Sequence, residues 1–155
     1  MTKKLLYNNL VTKHFLRSYI LKPIFIKFLL LIFSLLFIIR FTFFPVASLG
    51  IGVAEGGLNL IPFINMFNGF DIKTFIVNIF GNIVLFVPFG IILTSIMKSK
   101  KVISIGLFLS VSIEVFQFMM SFRVSDIDDV ILNTLGTYIG YKITMHIWLS
   151  NDSNT

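Results

Sequence analysis

Residues 24–46 read IFIKFLLLIFSLLFIIRFTFFPV, a run in which almost every side chain is apolar. A helix needs roughly 20 such residues to cross the hydrocarbon core of a bilayer. The apolar core of a signal peptide would be shorter and less aromatic, and no small-residue cleavage site follows this run closely. The stretch therefore predicts a retained transmembrane helix.

Three further apolar runs follow, and each reaches the length of a membrane span. They cover residues 74–97, 102–122 and 129–149. The sequence therefore predicts an all-α fold, a polytopic membrane helical bundle of about four transmembrane helices. We expect one membrane domain over residues 24–149, because the chain has no room for a second sizeable domain.

The connections differ in character. Residues 47–73 are rich in glycine yet apolar, which predicts an apolar outer loop between the first two helices that lies on the protein or dips into the interface. Residues 1–23 mix apolar and basic positions, which favours a basic cytoplasmic segment able to form an interfacial helix. Residues 150–155 are polar and are expected to be a short cytoplasmic tail.

Composition excludes several classes of function. Of the 155 residues, 56% are hydrophobic and only 13% are charged, whereas soluble domains average about a quarter charged. The absence of cysteine excludes disulfides, thiolate metal sites and cysteine nucleophiles. The net charge of +6 could suit nucleic acid, but most of the cations lie in the segments that precede or connect the apolar runs, so we expect no nucleic-acid partner.

The distribution of cations predicts the orientation. Six of the 13 cations precede or open the first run, and three more lie in the short connection at residues 98–101. Basic segments of membrane proteins are retained in the cytoplasm. We therefore expect a multi-pass protein of the bacterial cell membrane with both termini cytoplasmic and with residues 123–128 outside.

Polar residues recur at helical spacing in the halves of the runs predicted to lie outward. A rise of about 1.5 Å per residue places Glu114 and Asn82 about 12 Å below the outer boundary, and Arg40 about 9 Å below it. Unpaired polar groups are costly in lipid, so these stripes should face one another. We expect an outward-facing polar pocket, with Arg40 close to Glu114. Its predicted binding residues are Arg40, Asn78, Asn82, Glu114, Gln117, Arg123, Asp126, Asp129 and Asn133.

Glu114 and Asp129 are the candidate acid–base groups, since an ionisable residue in a membrane segment is by default a functional hypothesis. Asp126, Asp128 and Asp129 are weak candidates for a divalent cation, or could grip a polar headgroup together with Arg123. Helix capping is the competing interpretation, because Ser125 and Asp128 have the spacing of a capping box. Capping does not account for Arg123 or for the stripes at the same depth.

Gly136 and Gly140 form a GxxxG pattern, which is typical of close helix packing within a bundle or in an oligomer. Pro88 lies inside the second apolar run and is expected to kink that helix. We assign these three residues to packing.

The order and spacing of several motifs resemble the VanZ family of bacterial membrane proteins over roughly residues 55–142. The motifs are Asn59-Leu-Ile-Pro-Phe63, Asn78-x-x-Gly-Asn82-x-x-x-x-x-Pro88-x-Gly90, Glu114-x-x-Gln117, and Arg123-x-x-Asp126-x-x-Asp129-x-x-x-Asn133-x-x-Gly136-x-x-x-Gly140. The resemblance implies a role in the cell envelope, since the family takes its name from a protein that lowers susceptibility to the glycopeptide teicoplanin. It supplies no agreed biochemical activity.

Three functions follow from these observations. The first is a protein that binds a lipid-linked cell-wall precursor, an anionic lipid headgroup or a glycopeptide near the outer leaflet. The second is an intramembrane enzyme that acts on a lipid or cell-wall precursor, with Glu114 or Asp129 in acid–base roles and Arg123 on a phosphate. A transporter is third, because four helices without inverted repeats are few for that function.

Overall fold

Four helices make up most of the chain that the computed structural model describes, namely residues 3–44, 56–64, 72–120 and 122–152, with side chains for 23–44, 56–64, 76–120 and 122–149. The helices are α1 (Lys3–Phe43), α2 (Ile72–Met97), α3 (Lys101–Phe118) and α4 (Ile127–Asp152). Two strands of three residues each, β1 (Gly57–Asn59) and β2 (Val124–Asp126), lie between them. The all-α class is confirmed, and the short strands are an addition that the sequence did not predict.

In the described part of the chain, three helical segments are long and apolar enough to cross a membrane, namely Pro23–Phe43, Ile76–Met97 and Lys101–Phe118. They correspond to the first three predicted spans, although α3 ends at Phe118 rather than at residue 122. At 26 residues α4 is long enough to span, but it is less apolar than α2 and packs against α2 and α3. A membrane protein is therefore shown, while a fourth crossing stays a prediction.

The helices alternate in direction, so their ends collect in two groups. At one end, the basic end, Lys27 of α1 donates a hydrogen bond to the Ser95 carbonyl at 3.0 Å, and the Lys98 ammonium lies 4.1 Å from the Trp148 ring centroid. At the opposite end, which we call the polar end, the Gln117 amide donates a hydrogen bond to the Thr42 carbonyl at 2.8 Å. The acidic residues that precede and open α4 also lie at the polar end.

The most extensive packing is between α2 and α4. A Cβ added to Gly136 would meet the Ile83 carbonyl oxygen, and one added to Gly140 would meet that of Val87. From the other side, a Cβ on Gly90 would meet the Thr137 backbone. We call Gly90, Gly136 and Gly140 the glycine seam. Because the seam is buried within one chain, an oligomer would need another surface, and oligomerisation stays a prediction.

The predicted division into an N-terminal segment, a membrane domain and a tail has no test in the structure. The backbone of α1 is helical through the boundary expected after residue 23, with Pro23 inside the helix. Pro88 also lies inside a continuous helix, α2. Residues 153–155 of the predicted tail, and most of the predicted apolar loop, lie outside the described residues.

Candidate functional site

The polar end is organised by a parallel pairing of β1 with β2, in which Gly57, Leu58 and Asn59 lie opposite Val124, Ser125 and Asp126. α4 begins immediately after this pair. The Asp126 carboxylate accepts the Asp128 backbone N–H at 2.9 Å, as an N-cap residue does. Capping is therefore present, but the cap is Asp126, whereas Ser125 is buried in β2.

Glu114 holds the end of β2 from α3. Its Oε2 accepts the Asp126 backbone N–H at 2.7 Å, and its side chain is buried. A carboxylate that accepts a backbone N–H in a buried site makes a strong, directional contact. Glu114 thus fixes where the chain turns from β2 into α4.

Asn82 and Asp129 join α2 to the first turn of α4. The Asn82 amide donates a hydrogen bond to Asp129 Oδ1, and both side chains are half-buried. The structure therefore brings together two residues that are 47 positions apart in the chain. Their proximity agrees with the expectation that the polar stripes of different helices face one another.

β1 and the turn after it contribute contacts that the sequence did not single out as part of the site. The Asn59 amide donates to Asp126 Oδ1 at 3.0 Å, and the Phe63 backbone N–H donates to Asp128 Oδ1 at 2.9 Å. The available signal was the motif Asn59-Leu-Ile-Pro-Phe63, which carried the family resemblance. Two three-residue strands are too short to show an alternating pattern that would predict their pairing.

Arg123 is the cation of the polar end. Its side chain is 7% exposed, and its Nε and Nη1 atoms have no hydrogen-bond partner. Burial lowers the pKa of this guanidinium, while the charges of Asp129 and Glu114 act in the opposite direction. Arginine is effectively always protonated in proteins. The polar end therefore contains a buried positive charge with hydrogen-bond donors left over.

Four other predicted binding residues have different surroundings. The Gln117 amide donates its hydrogen bond to the Thr42 carbonyl of α1. The Asn133 amide donates to the Ser110 hydroxyl at 2.9 Å, deeper in the bundle. Asn78 is exposed on α2. Arg40 is exposed too. Its Nη1 donates to the Phe44 carbonyl at 3.3 Å, and it lies over the Phe41 and Phe44 rings, so Arg123 rather than Arg40 is the cation near Glu114.

The three aspartates proposed for a divalent cation accept hydrogen bonds from separate donors. Asp126, Asp128 and Asp129 bind Asn59, the Phe63 backbone and Asn82, respectively. No three acidic or histidine side chains in the described part of the chain are grouped as a metal ion would require. A cation at these residues stays a prediction.

These observations define a helical membrane protein whose polar end contains a charged, hydrogen-bonded cluster around Arg123. The family model VanZ/LLP1 matches residues 25–149, and the chain belongs to that family. It is 32% identical over 92 residues to Protein VanZ of Enterococcus faecium, a match that covers 57% of this chain and 53% of the relative. The chain thus spans about half the length of that curated relative. No solved structure matches it significantly.

Proposed function

We propose that this VanZ-family membrane protein of the bacterial cell envelope binds an amphiphilic anion at the polar end, with the phosphate or carboxylate headgroup against Arg123. The observation that carries the proposal is the buried guanidinium with two nitrogens that lack partners. Unpaired buried donors are costly, and charged ones more so. An oxyanion would satisfy them with charge-assisted hydrogen bonds.

The acidic residues around Arg123 favour a cation at first sight. Their carboxylates, however, already accept hydrogen bonds from within the chain. The acceptors are Glu114, Asp126, Asp128 and Asp129, and the donors are backbone N–H groups and the amides of Asn59 and Asn82. Among these charged side chains, the buried atoms without a hydrogen-bond partner are Nε and Nη1 of Arg123, which supports an anionic ligand.

We place this end on the outer side of the membrane, because the basic end holds the lysines that membrane proteins retain in the cytoplasm. Both termini are then cytoplasmic. On that side the available anionic amphiphiles include lipid-linked cell-wall precursors, lipid headgroups and lipoglycopeptides. The family resemblance supports an effect on susceptibility to glycopeptides of the teicoplanin type.

The binding experiment compares Arg123→Gln with Arg40→Gln in purified full-length protein. Both variants remove one cation at the polar end, but of the two only Arg123 is buried with unpaired donors. In phosphatidylcholine nanodiscs titrated with phosphatidylglycerol, we expect Arg123→Gln to bind about tenfold more weakly, since a hydrogen bond from a charged donor contributes about 1.5–3 kcal/mol. Arg40→Gln should bind like the parent.

Free phosphate and a polyprenyl diphosphate serve as further ligands in the same titration. If the diphosphate binds tightly and phosphatidylglycerol binds weakly, the ligand resembles a lipid-linked precursor. If free phosphate binds as well, no acyl chain is needed. Equal affinities for the parent and both variants would overturn the proposal.

The orientation is tested with single cysteines, because the chain has none of its own. Phe122→Cys lies in the connection at the polar end and Lys100→Cys in that at the basic end, and both positions are exposed. We expect an impermeant maleimide to label only Phe122→Cys on intact protoplasts. The reverse pattern would put the polar end in the cytoplasm.

An intramembrane enzyme is the second candidate, supported by two carboxylates, Glu114 and Asp129, whose charges both act on Arg123. Glu114→Gln and Asp129→Asn separate the two functions. A binding protein should retain ligand affinity to within a few-fold in at least one of these variants and should leave the lipid chemically unchanged. An enzyme would convert added precursor, and each variant would abolish that conversion.

A further inference from the structure

The β1–β2 pair contacts α3 within the segment that is long and apolar enough to span a membrane. This span has 18 residues, so it is about 27 Å long, no more than the hydrocarbon thickness of about 30 Å. Glu114 is one turn before the last residue of α3, or about 6 Å inside the end of that span. Because Glu114 accepts the Asp126 N–H, the end of β2 is held at that depth.

A contact with α2 gives a similar depth independently. Asn82 is between one and two turns inside the span Ile76–Met97, about 9 Å from its end. It donates a hydrogen bond to Asp129 in the first turn of α4. Two helices thus place the start of α4, and the strand pair beside it, within the membrane layer.

At this depth the β1 segment turns apolar side chains outward. Leu58, Leu60 and Ile61 are 53%, 65% and 59% exposed. Asn59, between them, is half-buried and points its amide at Asp126. Clusters of large exposed apolar side chains usually mark a surface that something apolar covers.

The backbone N–H groups of residues 61–64 are all paired or absent, which suits lipid surroundings. Within residues 61–64, the Ile61 N–H donates to Asn59 Oδ1 at 3.1 Å, and Pro62 has no N–H. The Phe63 N–H donates to Asp128, and that of Ile64 to the Ile61 carbonyl at 3.4 Å. Phe63 has a φ of 58°, an uncommon conformation for such a residue, which its bond to Asp128 holds in place. In hydrocarbon, irregular backbone is tolerated only when its polar groups are paired.

We infer that residues 57–64 form a membrane-embedded segment whose Leu58, Leu60 and Ile61 side chains contact lipid acyl chains, and which separates the charged cluster from the hydrocarbon. The partner is the bilayer interior, in the half of the membrane that holds the polar end. This inference rests on depth, exposure and backbone pairing. It is independent of anion binding at Arg123 and of which end faces outward.

The experiment uses nitroxide labels on single cysteines in the full chain, reconstituted in vesicles of phosphatidylcholine alone. Leu60→Cys reports on the segment and Ile61→Cys is a second, independent position in it. Phe108→Cys, which is 75% exposed within α3, is the lipid-facing standard, and the exposed Lys100→Cys is the aqueous standard. Accessibility is measured by power saturation with oxygen and with a water-soluble nickel complex.

We expect Leu60 and Ile61 labels to show high oxygen and low nickel accessibility, as Phe108 does, while Lys100 shows the reverse. Each variant is first checked for the parent's helix content and melting temperature, and either position suffices if the other perturbs folding. Nickel accessibility at Leu60 and Ile61 equal to that at Lys100 would overturn the inference. Since these vesicles contain no net anionic lipid, this result cannot be confused with failure of the anion-binding proposal.

Discussion

α2 meets α4 in two different ways along its length. At the glycine seam the two backbones approach each other, and the space for a side chain is already filled by carbonyl groups such as those of Ile83 and Val87. At the polar end the same two helices are joined by a hydrogen bond between Asn82 and Asp129. The first contact depends on shape and the second on polar pairing.

This difference separates the part of the bundle that fixes the helix positions from the part that is available for chemistry. A backbone-to-backbone contact has no side chain that can move aside, so the seam tolerates little change. Hydrogen-bonded side chains such as those at the polar end can, in contrast, exchange one partner for another. We therefore expect stability to be most sensitive at the seam and ligand affinity to be most sensitive around Arg123.

The largest effect is expected at the seam, for Gly136→Leu and Gly140→Leu. Either side chain would overlap a carbonyl of α2, and overpacking costs about 1–3 kcal/mol, with the upper end expected where only backbone can move. We predict a fall of many degrees in the melting temperature in detergent, measured by the loss of helical circular dichroism or of monodisperse protein.

Gly81→Leu is the matched control for this prediction. Gly81 lies on α2 as well, but a Cβ there would meet nothing within 4 Å. We expect it to be neutral or to stabilise the protein by up to about 1 kcal/mol, because leucine favours a helix more than glycine does. Equal stability of all three leucine variants would mean that α2 and α4 do not pack through the seam.

A smaller effect is expected from removing the polar connection between the same helices. Asn82→Leu eliminates the donor to Asp129 and leaves a half-buried carboxylate without it, at a cost of about 2 kcal/mol. Asn78→Leu changes the same residue type one turn away, at an exposed position, and should be neutral or slightly stabilising in lipid. Thermal unfolding of both in nanodiscs is the measurement, and equal destabilisation would contradict the assigned contact.

The bundle was predictable because its determinants are long and local. Apolar runs of about 20 residues specify membrane helices almost by length alone, and the three most apolar runs became helices able to span. The fourth run is a less clear membrane span. It carries small and polar residues where a lipid-facing helix would be apolar, because α4 faces other helices along the glycine seam.

The site was predictable only in part. Helical spacing placed Asn82 and Glu114 at a common depth, and the structure joins Asn82 to Asp129 and Glu114 to the Asp126 backbone. Helical spacing could not predict that the Arg40 side chain donates a hydrogen bond to the Phe44 carbonyl, because a long, exposed side chain has many rotamers. Nor could it show that β1 pairs with β2, because the bonds between them join segments 67 positions apart in the chain and no periodicity marks such short strands.

The smallest effect is expected at β1, where the contact is a side chain on an irregular segment. Asn59→Ala removes the bond to Asp126 and the acceptor for the Ile61 N–H. Each of these partly exposed hydrogen bonds contributes about 1 kcal/mol, and the loss should remain local because β1 does not support the glycine seam. We predict faster hydrogen exchange in residues 57–64, with little change in the exchange of α4 or in the melting temperature.

Asn78→Ala, which changes an exposed asparagine on α2, is the control and should leave exchange in residues 57–64 unchanged. If Asn59→Ala instead lowered the melting temperature as much as Gly136→Leu, the strand pair would be part of what holds the helices together, and the separation between a rigid seam and an adaptable polar end would have to be abandoned.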